Sequence, residues 1–229
     1  MLMQTAIQSS YLRQPTNGAR RRPPVVTHTL ASSIELMGAP MSFTRNIEIY
    51  GEDEPADYLY KVVSGTVRTY KVLTDGRRQI GAFYLPGDIF GLESGDDHTF
   101  SAEAVTDAKV LVIKRSALVA LAARDNDVAH QLWALTSREL RCVQDHIMLL
   151  IKTAQERVVG FLLEMSKRMP SNDQVELPMS RQDIADYLGL TIETVSRTLT
   201  QLENSAAIAL PSSRCVVLRN RAALGRLNG

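Results

Sequence analysis

The sequence predicts an α+β fold: an N-terminal β-barrel or jelly roll, one long dimerisation helix and a C-terminal winged helix-turn-helix. Three observations predict it. Residues 41–113 fall into short β-type runs separated by turn residues. From near Asp127 toward Lys152, apolar residues recur at steps of three and four. Ser180–Glu203 reads as two short helices joined at Gly189.

Bulk composition sets the limits. A chain of 229 residues with 45% hydrophobic and 22% charged content suits a soluble protein of one large or two modest domains. No apolar run reaches membrane-span length, and the N-terminus lacks a secretory signal pattern, so a cytoplasmic location with no membrane partner is expected. The net charge of +1 excludes a polybasic nucleic-acid binder, so any DNA affinity must rest on a few placed cations. Cys142 and Cys215 are isolated, without metal-finger spacing and too few for an iron–sulfur cluster.

Taken in order, residues 1–40 form an expected flexible arm with Arg20-Arg21-Arg22-Pro23-Pro24 and room for a short helix near Ser32–Met37. Residues 41–123 are the barrel. Asn46–Tyr50, Leu59–Ser64, Thr66–Leu73, Arg78–Leu85 and Ala108–Ile113 are its expected strands, and Ser64-Gly65, Thr74-Asp75-Gly76 and Pro86-Gly87-Asp88 its turns. A short helix over Ser116–Ala123 follows. Residues 124–153 make the dimerisation helix, with Trp133, Thr136, Leu140, Val143, Ile147, Leu150 and Ala154 as a heptad-like seam for a second copy. A second stripe, Leu132, Leu135 and Leu149, is expected on the barrel.

Residues 154–229 are the expected DNA-binding domain. It has a helix over Ala154–Arg168 stopped by Met169-Pro170-Ser171-Asn172-Asp173, a strand Val175–Leu177, the helix pair, and a hairpin of Ala207–Leu210 and Cys215–Leu218. That hairpin is the wing, with Ser212 and Ser213 toward the DNA backbone. Within the pair, Ile184, Ala185, Leu188, Leu190, Val195 and Leu199 bury the facing sides. Ser180 with Asp183 forms a capping-box start, and Thr191 caps the second helix. Ile192, Glu193, Ser196 and Arg197 share the free face. Arg197 can give two hydrogen bonds to guanine, worth about 1–3 kcal/mol of discrimination. Glu193 can accept from a cytosine or adenine amino group and orient Arg197, while Ser196 meets a base edge and Ile192 a thymine methyl.

The order of parts resembles the family of the catabolite activator protein and the anaerobic regulator FNR over about residues 41–220. Tyr58-Leu59-Tyr60-Lys61-Val62-Val63-Ser64-Gly65, Leu85-Pro86-Gly87-Asp88-Ile89-Phe90-Gly91, Gln155-Glu156-Arg157-Val158 and Ser180–Glu203 carry the resemblance. It implies a cyclic-nucleotide-binding-like barrel and a homodimer on a palindromic double-stranded operator. It also implies phosphate contacts from Ser180, Arg181, Thr191, Thr194, Ser212 and Ser213, and an RNA polymerase contact from the exposed tip Thr74-Asp75-Gly76-Arg77-Arg78.

Departures narrow the resemblance. Phe100 stands where cyclic-nucleotide binders have the phosphate-pairing arginine, and Asp96 and Asp97 would repel a phosphate, so no cyclic AMP response is expected. The cluster cysteines of FNR are absent. His28, His98, His130 and His146 read as surface or helix-face histidines, not haem ligands. With no cofactor implied, the chain resembles the FixK-like subgroup, which acts in nitrogen fixation and low-oxygen control. Ile192 replaces the activator's guanine-reading arginine, which implies a TTGA-N6-TCAA-type palindrome. Ser180 stands where some members carry an oxidisable cysteine. Two other readings stay open at this point. One is a same-fold regulator with an unidentified small-molecule effector in the barrel. The other is a cupin-type metalloenzyme, for which His98 is the only histidine in the barrel segment.

Overall fold

The computed structural model describes residues 29–169 and 173–228. The basic stretch of the expected arm and Pro170, Ser171 and Asn172 of the expected helix stop lie outside these residues. Thr29 opens α1 (Leu30–Met37) through a capping box with Ser32. Eight strands follow: β1 (Ala39–Phe43), β2 (Glu48–Tyr50), β3 (Tyr58–Ser64), β4 (Val67–Val72), β5 (Arg78–Tyr84), β6 (Ile89–Phe90), β7 (Ser101–Ala104) and β8 (Ala108–Lys114). They pair as two four-stranded sheets, ordered β1-β8-β3-β6 and β2-β7-β4-β5. This is the double-sheet jelly roll. Tyr50, Tyr60, Val62, Val67, Phe90 and Val110 fill the space between the sheets. Gly65 closes the β3–β4 turn at φ +82°, where a Cβ would meet the Asp107 carbonyl oxygen at 2.2 Å.

The expected arm of residues 1–40 is corrected at its end. Leu30 and Ile34, one turn apart, are buried with Leu59, Ile113, Leu118, Val128 and Leu135, and β1 pairs with β8 along its whole length. β1, β6 and β7 escape the sequence pattern for separate reasons. β1 carries Pro40, tolerable on an edge strand. β6 has two residues, and β7 is Ser-Ala-Glu-Ala, without β-branched or aromatic side chains.

Next come α2 (Arg115–Ala122) and α3 (Asn126–Leu150), the latter capped by Asp125. The two apolar stripes of α3 part company. Leu135 joins the cluster beneath α1. Leu149, expected on the barrel, is buried in the C-terminal core instead. It sits over Gly160 of α4 (Ala154–Arg168), where a Cβ would meet Leu149 Cδ1 at 2.7 Å. Along the other stripe Trp133, Leu140, Val143 and Ile147 are exposed, as is Thr136, while Leu150 is half-buried. Ala154, expected on the same seam, lies past the end of this helix as the first residue of α4.

The chain ends in β9 (Gln174–Glu176), α5 (Arg181–Leu188), α6 (Ile192–Asn204), β10 (Ile208–Ser212), β11 (Cys215–Leu218) and α7 (Arg221–Leu227). The strands form a sheet ordered β10-β11-β9. The sequence pattern does not give α7, whose single buried residue, Leu224, sets no periodicity. Among the described residues no helix is long and apolar enough to cross a membrane.

Candidate nucleic-acid interface

Gly189 takes the left-handed conformation at φ +60° and ends α5, so α6 can start three residues later at a new angle. Val195, Thr198, Leu199 and Leu202 bury one face of α6. Ile192, Glu193, Ser196 and Arg197 lie exposed on the other. Thr191 caps the helix by accepting from the Thr194 amide, and the two threonine hydroxyls lie 3.1 Å apart. The Glu193 carboxylate is drawn below its usual range by its own backbone amide and by the Thr191 hydroxyl, so it is ionised and acceptor-only at neutral pH. Among the described residues no ion pair joins Glu193 to Arg197. The expected orienting contact is replaced by this turn back to the helix start, and Arg197 extends free.

The expected phosphate-contacting residues separate into two groups. Thr191, Ser212 and Ser213 are exposed, and Thr194 is half-buried. Ser180 is committed to the α5 cap: its hydroxyl donates to Asp183 at 2.8 Å and accepts from the Asp183 amide at 3.1 Å. Arg181 is half-buried, its Nη1 enclosed without a hydrogen-bond partner, and burial lowers its pKa. At the wing, the Arg214 carbonyl accepts from the Leu177 amide at 2.7 Å, tying the β10–β11 turn to the residue after β9.

The barrel tip needs a correction. Thr74, Asp75, Gly76 and Arg77 are exposed, with Arg77 paired to Asp75 at 2.7 Å. Arg78 is not part of that surface. It turns inward to α5, reaching Asp183 at 2.5 Å and Asp186 at 2.7 Å. Arg68 of β4 reaches the same Asp183 at 2.9 Å and holds Glu103 of β7 with its other terminal nitrogen. Asp183 therefore serves at once as the α5 cap and as the meeting point of two barrel arginines.

Sequence reasoning missed these positioning groups. The signal was present: Asp183 sits on the buried side of its helix, beside Ile184, and a charge there demands a partner. The far end of α5 is held as well. Arg157, singled out in the sequence without a role, donates to the Leu188 carbonyl at 2.9 Å. His146 of α3 bonds the Tyr187 carbonyl at 2.8 Å and stacks on the Tyr187 ring at 4.0 Å. Phe83 of β5 packs against Tyr187 and Phe161.

Inside the barrel the histidine expectation is corrected. His98 is 2% exposed and stacks on Tyr50 with ring centroids 3.6 Å apart. It belongs to the aromatic core, because Tyr50 and Tyr60 offer a flat apolar wall to its ring. Phe100 lies against β5, where glycine at 81 makes room: a Cβ there would sit 3.2 Å from the ring. Among the described residues no three His, Cys, Asp or Glu side chains gather as metal ligands, so the cupin reading finds no site in them.

Two family models match the chain. The Crp-like helix-turn-helix domain covers residues 156–227 and the cyclic nucleotide-binding domain residues 40–125. The nitrogen fixation regulation protein FixK of Azorhizobium caulinodans is 53% identical over 204 residues, 86% of this chain and 82% of the relative. The FixK protein of Rhizobium meliloti is 39% identical, over 85% of this chain and 93% of its own. Among solved structures, FixK2 from Bradyrhizobium japonicum superimposes with a TM-score of 0.81 at 54% identity, covering 84% of this chain and 98% of that one.

Proposed function

Because the chain belongs to the CRP/FNR family of transcription regulators, in its FixK-like branch, we propose that it is a homodimeric activator reading a TTGA-N6-TCAA-type palindrome. It recruits RNA polymerase to genes of nitrogen fixation and low-oxygen metabolism, with no bound cofactor. The observation that carries the reading is the two-sided character of α6. One side is wholly committed to the domain core, and the other presents Ile192, Glu193, Ser196 and Arg197 to solvent.

Arg197 pairs with guanine, Glu193 accepts from a base amino group, Ser196 meets a base edge and Ile192 covers a thymine methyl. Thr191, Thr194, Ser212 and Ser213 face phosphate, with Ser180 and Arg181 acting from the start of α5. The seam from Trp133 to Ala154 joins two copies, since water-exposed apolar side chains at heptad spacing gain by pairing. Thr74–Arg77 offers the polymerase contact. Independence from an effector is supported by the aromatic filling of the barrel and by Phe100 at the phosphate-pairing position.

Footprinting of purified protein on a TTGA-N6-TCAA duplex, with no small molecule added, tests this. A protected palindrome and a dimer by sedimentation are expected. Binding indifferent to the TTGA half-sites would remove the reading.

One observation favours a second reading. A groove of about 600 Å³ runs between α1, the barrel and α3, lined by Leu30, Ile34, Lys61, Ile89, Leu135 and Arg138. A regulator driven by an amphipathic effector could use it. Full operator affinity measured in effector-free protein would weigh against that use.

A further inference from the structure

We infer that Arg78 and Arg68 of the barrel are positioning residues for DNA reading: gripping α5, they hold each reading head at a fixed angle to α3, so that paired heads select one half-site spacing. The inference rests on operator reading by a dimer, as proposed above.

Between α3 and α4 the chain has only Ile151, Lys152 and Thr153 outside helix. Arg157 and His146 hold the C-terminal end of α5 beside that link. The grip fixes the opposite, N-terminal end of α5, about which the helix could otherwise pivot. Asp183 receives the Ser180 amide at 3.0 Å, the Ser180 hydroxyl at 2.8 Å, Arg68 at 2.9 Å and Arg78 at 2.5 Å. Asp186 takes the Arg78 Nε at 2.8 Å. Glu103 anchors Arg68 from behind at 2.9 Å.

The geometry of the charges matters here. Two arginines and three carboxylates close on one another between the domains, with Arg68 and Asp183 nearly excluded from water. Charge pairs in that setting are directional and hold an angle, unlike an apolar contact that can slide. The grip is on α5, while the reading residues lie on the free face of α6. Holding the head and reading bases therefore do not compete for the same side chains.

An added base pair moves a half-site by about 3.4 Å and turns it by about 34°. A held head cannot follow that displacement, whereas a swivelling one can. Arg68 and Arg78 thus contribute to the choice of operator without reaching DNA.

The test measures binding of full-length protein to TTGA-N5-TCAA, TTGA-N6-TCAA and TTGA-N7-TCAA duplexes and to a single half-site, by fluorescence anisotropy. The expected wild-type preference for the N6 spacer is about tenfold or more, the size of one lost base contact. Arg78→Ala is expected to cut that preference to about threefold or less, leave half-site affinity unchanged and keep the dimer mass. Arg78→Lys should restore part of the preference, because a point charge keeps the pairing but not the fork. Should Arg78→Ala not fold, Asp186→Asn carries the test, since it leaves Arg78 on Asp183.

Folded, dimeric variants that keep the full spacing preference would overturn the inference. Tighter N6 binding by the variants would overturn it too, because the grip would then be restraining the heads. Wild-type protein that reads half-sites without spacing preference sinks this inference alone. Indifference to TTGA half-sites sinks the functional reading and this with it.

Discussion

Arg68 and Asp183 stand 115 positions apart in the chain and meet at 2.9 Å, with 7% and 6% of their side chains exposed. The contact joins a barrel strand to the first helix of the reading motif. Neither charge has water to fall back on.

Truncating Arg68 takes one charge partner from Asp183, which keeps Arg78, and one from Glu103, at a cost of about 1.5–3 kcal/mol. Arg68→Ala is therefore expected to lower the melting temperature sharply, and Arg77→Ala, at the exposed tip, to leave it nearly unchanged. Thermal unfolding followed by circular dichroism reads both. Equal melting temperatures for the two variants would mean that the buried pair adds nothing.

Acid should act through the same carboxyl. Burial pushes Asp183 upward, but the Ser180 amide, the Arg68 guanidinium, the Ser180 hydroxyl and the Arg78 guanidinium outweigh it, and its pKa ends below the usual carboxylate value. A depressed folded pKa gives stability that is complete above the unfolded value of about 3.9 and lost as pH falls below it, through the folded pKa. Melting temperature against pH should drop less steeply in that acid range for Asp183→Asn than for wild type. Parallel curves would remove Asp183 from the acid response.

At the DNA, Arg197→Ala should cost about 1–3 kcal/mol per half-site and relax the requirement for guanine. The dimer should be unaffected. Ile192→Arg should move preference from thymine to guanine at the position it faces. Selection from a randomised half-site shows both, and an unchanged Arg197→Ala motif would reassign the reading residue.

Trp133 is the only tryptophan in the chain and is 73% exposed. If the seam joins two copies, its fluorescence should shift to shorter wavelength as concentration rises through the dimer constant. Leu140→Glu, two turns along the same seam, should hold the emission at its exposed value at all concentrations. A concentration-independent wild-type spectrum, with a monomer mass, would move the interface elsewhere.

Much of the architecture was legible because it is written in periodicity. The α6 pattern of Val195 and Leu199 against Ile192, Glu193, Ser196 and Arg197 separates core from free face without any structure. Gly189 and Ser180 mark the ends of α5 by their own backbone chemistry. What could not be read is contact across distance. β7 has no strand propensity of its own and exists because β2 and β4 flank it. Arg78 looked like the end of a solvated turn, yet β5 carries it to within reach of a carboxylate more than a hundred residues away. His98 looked superficial until Tyr50 was placed beside it. Pairings of this kind depend on which surfaces the chain brings together, and spacing along one segment does not encode them.

The core that surrounds Tyr187 and Phe161 also takes in Ile80, Phe83 and Val105 from the barrel. The reading head is consequently not a portable part. A chain cut before Ala154 would keep the whole helix-turn-helix and its wing, yet would expose the aromatic surface that Phe83 covers. Such a fragment should self-associate, and a head transplanted onto another relative's barrel should keep its sequence preference only if the matching barrel face travels with it.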